Sequence, residues 1–121
     1  GKRGQAWRYG DEEAEPGFFE EAMQEYCYSF YSIGSETSRE AFRRISEKLS
    51  GIYPSNPEFV NNIGSYYLLK HDYKTALKYY NKVLKKHPGD MTAIQNALLA
   101  AKHMKNAKLE KKYQAMMAKN N

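Results

Sequence analysis

With 121 residues, 41% of them hydrophobic and 27% charged, the chain has the makings of one soluble globular domain with a modest core. No apolar run approaches bilayer length, Gly1-Lys2-Arg3-Gly4 is too polar to open a signal peptide, and the single Cys27 excludes an internal disulfide and a thiolate zinc cluster. The net charge of +5 is uneven: residues 1–36 hold three basic and eight acidic side chains, and the remainder sixteen basic and six acidic. Such asymmetry suits self-docking, an acidic partner or nucleic acid, and charge alone does not choose between them.

In chain order, residues 1–15 have few apolar positions and an acidic cluster, so a flexible or loosely docked arm is expected there, with Trp7 and Tyr9 as its only anchors. From Pro16 the pattern turns helical: Phe18, Phe19, Ala22, Met23, Tyr26, Cys27 and Phe30 recur at helical spacing, and Gly34 ends the run. A second helix is predicted from Thr37, with Glu40 completing a capping box, along a stripe of Ala41, Phe42, Ile45 and Leu49 to a stop at Gly51. Asn56 and Pro57 read as the cap and first residue of a third, with Phe59, Val60, Ile63, Tyr66 and Tyr67 inward. Asp72 caps a fourth whose face is Tyr73, Ala76, Leu77, Tyr80, Val83 and Leu84, and Pro88-Gly89 ends it. Asp90 opens a fifth with Ile94, Ala97, Leu98 and Ala101 inward. A break at Lys105-Asn106 leads to a sixth with Leu109, Tyr113, Met116 and Met117. No segment alternates as a strand does. The fold class is all-α, six helices paired by short turns.

The order Val60, Ile63-Gly64, Tyr67, Ala76, Tyr80, Pro88 over residues 57–90 resembles the tetratricopeptide repeat, a helix–turn–helix unit of about 34 residues. Small Gly64 and Ala76 let the paired helices approach, and Tyr67 and Tyr80 fill the space beside them. A shift of 35 back sets Ser29 against Gly64 and Ala41 against Ala76; a shift of 33 forward sets Ala97 against Gly64 and Tyr113 against Tyr80. Units of about 22–56, 57–90 and 91–121 result, all within a helical domain of 16–121.

The resemblance implies antiparallel helix pairs stacked as a short right-handed solenoid, and a concave groove lined by the first helix of each pair. Its partner-binding positions in the strong unit are Asn61, Asn62, Ser65, Leu68 and Leu69. The outer units contribute Tyr26 and Phe30, then Ile94 or Gln95 and Leu98 or Leu99. Amides and hydroxyls there suit a peptide backbone, and the larger side chains suit apolar ones, although the same residues also serve interhelical packing. Some family members clamp acidic chaperone tails with Lys, Asn and Arg. Asn62 matches the asparagine, but Tyr26, Met91 and Gln95 occupy the basic positions, so chaperone C-terminal tails are not the expected ligand.

Lys74, Lys78, Lys82 and Lys86 recur every fourth residue, a basic line on one helix. Nucleic-acid binding through it is the minor expectation, because the neighbouring Tyr67, Tyr73 and Tyr80 sit at core spacing and are not free to stack on bases. His71, His87 and His103 fall at turns or helix ends and make no metal set, and Cys27 reads as a small core residue. No catalytic motif and no cofactor site is present. The expectation is a non-catalytic module that binds a peptide or protein in its groove, with a basic nucleic-acid-associated domain or a structural appendage of a larger protein as alternatives. A chain opening on Gly1 reads as a processed or trimmed product, leaving cytoplasm and periplasm both open.

Overall fold

The structure is a computed structural model that describes residues 17–120. The expected arm, with Trp7, Tyr9 and Pro16, lies outside the described residues. Six helices follow one another: α1 (Phe18–Ile33), α2 (Glu36–Ile52), α3 (Pro57–Leu69), α4 (Tyr73–Lys86), α5 (Met91–His103) and α6 (Ala107–Lys119). There is no strand among the described residues, and no helix is long and apolar enough to cross a membrane.

Most boundaries follow from side chains that satisfy the free N–H groups of a helix start. Asn56 accepts from Glu58 N at 2.8 Å, and Pro57 follows it where no donor is needed. Asp72, Asp90 and Asn106 cap α4, α5 and α6 in the same manner. Gly34 closes α1 at φ +81, in the left-handed region open to glycine. Two expected boundaries move. The cap of α2 is Ser35, not Thr37: Ser35 and Ser38 bond reciprocally in a capping box, and Glu40 instead serves Arg43 and Tyr66. Nor does Gly51 stop α2, which runs to Ile52 and closes through the bond from Tyr53 N to Leu49 O.

Each helix packs on its sequence neighbours, and α3 also touches α5, so alternate helices line one side of the stack. Two apolar clusters form. Cys27, Phe42, Leu49 and Phe59 tie α1, α2 and α3 together. The larger holds Leu77, Tyr80 and Val83 of α4, four buried alanines and Ile94 of α5, and Tyr113 of α6. Alanine at positions 93, 97, 100 and 101 lets the flanking helices approach α5 closely. Val60, Tyr67 and Leu68 are half-buried against this cluster. Of the apolar residues that recur along α1, Phe18, Phe19 and Tyr26 are exposed, because α2 is the one described helix on which α1 packs extensively.

A polar seam runs beside these clusters. Asn62 and Gln24 exchange amide bonds of 2.7 and 3.0 Å, Asn62 Nδ2 also donates to Ser46 Oγ at 3.1 Å, and Ser46 donates to Cys27 Sγ at 3.7 Å. A buried network of this kind holds when each member has a partner, and it fixes how α1, α2 and α3 meet.

The third pair is built on a split frame. Asn56 and Asp90, His71 and Lys105, and Asp72 and Asn106 occupy matching cap or left-handed turn positions, each 34 residues apart. The bonds from Asp72 N to Tyr67 O and from Asn106 N to Ala101 O repeat at the same interval. The shift of 33 read from the sequence therefore suits the inner face of α6, where Tyr113 is buried as Tyr80 is, but α5 is one residue out of that frame. In the corrected frame Asn96, not Gln95, corresponds to Asn62.

Candidate functional site: an acidic groove across three helices

On the side of the stack formed by α1, α3 and α5, an open groove of about 590 Å³ crosses all three helices. Helical spacing brings its wall residues to one face of each. Glu20, Glu21, Gln24 and Tyr28 come from α1; Glu58, Asn61, Asn62 and Ser65 from α3; Thr92 and Asn96 from α5, with its cap Asp90. Cross-helix bonds hold the walls in register. Asn56 Nδ2 donates to Glu20 Oε2 at 3.2 Å, the Gln24–Asn62 pair spans α1 and α3, and Asn61 Nδ2 donates to Asp90 Oδ1 at 3.2 Å. The Tyr80 hydroxyl lies 3.1 Å from Ser65 Oγ. Burial pushes the Tyr80 phenol up to about 12, so it stays a neutral donor beneath the groove.

The electrostatics are one-sided. Glu20, Glu21, Glu58 and Asp90 line the groove, and no Lys, Arg or His is among its described lining residues. Burial raises the Glu58 carboxyl above its ordinary range, and the charges of Glu21, Glu20 and Asp90 raise it further. The lysines sit elsewhere: Lys74, Lys78, Lys82 and Lys86 are all exposed along α4. Lys70 reaches Glu36 at 3.0 Å, away from the groove. A chain with a net charge of +5 thus carries an acidic furrow.

Of the residues expected to meet a partner, the fold brings Asn61, Asn62 and Ser65 into this lining. Asn62 is buried and spends its amide on Gln24 and Ser46, so its role there is structural first. Leu68 packs half-buried against the larger core cluster, while Leu69 is exposed and outside the lining. Tyr26 lies exposed on α1 with its ring edge-on to Phe30, and Gln95 is exposed on α5; none of these three is in the lining. The carboxylates were not anticipated. The signal for part of the set was the frame: a shift of 34 carries Asn62 onto Asn96 and Asn56 onto Asp90.

The histidines are disposed differently from expectation in one respect. His71 and His103 meet at one end of the stack around Tyr73, His71 Nδ1 lying 2.8 Å from its hydroxyl and His103 stacked on its ring at 5.0 Å. His87 is at the other end of α4. No group of three or more His, Cys, Asp and Glu among the described residues is arranged to hold a metal ion.

No protein-family model matches the chain, and no curated protein matches it.

Proposed function

We propose that this chain is a non-catalytic interaction module that binds a peptide or protein segment in the groove across α1, α3 and α5. The observation carrying this reading is the continuity of the groove over three alternate helices, each contributing polar side chains at one helical turn's spacing. A ligand lying across them meets hydrogen-bonding groups from every layer of the stack, the arrangement an extended segment requires. The likeness of residues 57–90 to a tetratricopeptide repeat supports the same reading. So do the caps and turns that recur after 34 residues. In this view the chain performs no chemistry itself; its lining carboxylates and amides recognise a ligand.

The test is selection of peptide ligands from a display library, followed by titration against Thr92→Trp, which fills the groove, and Lys78→Glu, which alters the exposed face of α4. Ligands lost on the first and kept on the second support the groove. Ligands insensitive to Thr92→Trp overturn it.

A second reading, contact with a polyanion such as RNA, is favoured by the exposed lysine row. It is the lesser one, because the aromatics beside that row are already engaged: Tyr80 is buried, Tyr67 stacks on Tyr79 at 5.8 Å and Tyr73 on His103. Retention on RNA at moderate salt that is lost in a Lys74→Glu, Lys78→Glu, Lys82→Glu variant would favour it.

A further inference from the structure

We propose that the segment this groove accepts is basic: an extended peptide whose arginine side chains lie among Glu20, Glu21, Glu58 and Asp90. The inference rests on the groove being the binding site and adds the chemistry of its ligand.

Two independent observations carry it. The first is the charge pattern. Four carboxylates from three elements face one groove whose described lining holds no cation, in a chain that is basic as a whole. The Glu58 carboxyl is raised first by burial and then by the charges of Glu21, Glu20 and Asp90, and an entering cation relieves that second, repulsive part. The second is an orphan acceptor. Asn61 is 4% exposed and belongs to the groove lining; its Nδ2 is committed to Asp90, and its Oδ1 has no hydrogen-bond partner among the described residues. A buried carbonyl without a donor is costly, and a small turn of the Asn61 amide toward the groove would relieve that cost by presenting it to a ligand that brings N–H groups. Glu58 and Asp90 flank it as further acceptors.

Guanidinium fits such a set better than ammonium. Its five N–H donors lie in a planar fork that serves two carboxylate oxygens and a neighbouring carbonyl together. A peptide fits better than a free polyamine. Thr92 offers an exposed hydroxyl in the same lining, which suits a peptide backbone and finds no partner on an alkyl chain.

Calorimetric titration of the full chain tests this, using a hexa-arginine peptide, its hexa-citrulline counterpart and spermine, against wild type and Glu21→Gln/Glu58→Gln. Neither glutamate caps a helix, so the variant folds, as its circular dichroism melt will report. The expected result is one hexa-arginine site on wild type, weakened by rising salt and at least tenfold weaker in the variant. Citrulline should show no detectable binding, and spermine weaker binding than the peptide. Equal binding by the variant, equal binding of citrulline, spermine as tight as the peptide, or no arginine binding each overturns the proposal. Thr92→Trp separates the two levels: if it abolishes library-selected neutral ligands while hexa-arginine fails to bind wild type, the groove stands and its basic ligand falls. Should ligands of every charge ignore Thr92→Trp, the groove itself is wrong.

Discussion

A Cβ on Gly64 would lie 2.7 Å from Cε1 and 2.9 Å from Cζ of Tyr80, so a ring from α4 occupies the space that glycine leaves open on α3. It is the side chain, not the facing backbone, that makes glycine necessary. Tyr80 is fully buried and its hydroxyl bonds Ser65, so the ring has little room to retreat. An overpacking cost of about 1–3 kcal/mol opposes the roughly 1 kcal/mol that alanine contributes to a helix interior, so Gly64→Ala is expected to destabilise by up to about 2 kcal/mol net. Urea unfolding measures this. In a cycle with Tyr80→Leu the two changes should couple by at least ~1 kcal/mol, and simple additivity would rule the contact out as the cause.

Asn62 shows how a groove residue serves the fold. Its amide joins Gln24 of α1 to Ser46 of α2, and Asn62→Ala leaves both without that partner. A loss of about 1–3 kcal/mol is expected, the cost of unsatisfied buried polar groups. Thr92→Ala, exposed on the opposite wall, should stay within about 0.5 kcal/mol of wild type. Matching stabilities for the two variants would refute the structural role.

The architecture was legible in the sequence wherever one local interaction dominates. Asn56, Asp72, Asp90 and Asn106 cap as expected, because a short polar side chain before an amphipathic run has few competing uses. Thr37 and Glu40 also spell a capping box, but Ser35 and Ser38 spell another two residues earlier, and only packing decides: Ser38 is buried and Glu40 is drawn to Tyr66 on α3. The exposure of Phe18 and Phe19 on α1 was not legible for a related reason. An apolar stripe shows that a helix can bury a face, not that a described neighbour covers it. Among the groove's lining, Asn61, Asn62 and Ser65 are the residues that the resemblance to a repeat had pointed to. The acids were not legible: Glu20 and Glu21 open α1, where acids also answer the helix dipole, and convergence with Glu58 and Asp90 exists only after stacking.

Cys27 provides a clock for the opening of that same seam. It is fully buried, and burial raises its thiol pKa, with the Ser46 bond opposing in part. A buried neutral thiol reacts only when the helices part. Labelling by an aromatic disulfide reagent should therefore be slow in native buffer and accelerate with urea in step with unfolding. Asn62→Ala should speed it at least fivefold, since a loss of about 1 kcal/mol already raises the open population by that factor. Rapid labelling of the native wild-type chain would contradict the packing of α1 against α2.

The pH dependence of stability pits Glu58 against Glu40. Glu58 has its folded pKa raised, chiefly by burial and then by Glu21, Glu20 and Asp90. Its contribution is thus fully present below the ordinary glutamate range and lost as pH rises through the raised value. Glu40 is the reverse. Its pKa is lowered, first by the Tyr66 hydroxyl and then by Arg43, so its contribution is present above the ordinary range and lost as pH falls. Glu58→Gln should consequently stabilise the chain at neutral pH, by less than about 1 kcal/mol because the side chain is partly open to solvent screening. That advantage should vanish by pH 4. Tyr66→Phe should act in the other sense, flattening the acid limb by removing the bond that holds Glu40 ionised. Melting midpoints of the three proteins between pH 4 and 7 provide the readout. A Glu58→Gln advantage that persists unchanged at pH 4 would show that its carboxyl is not crowded by its neighbours in the groove.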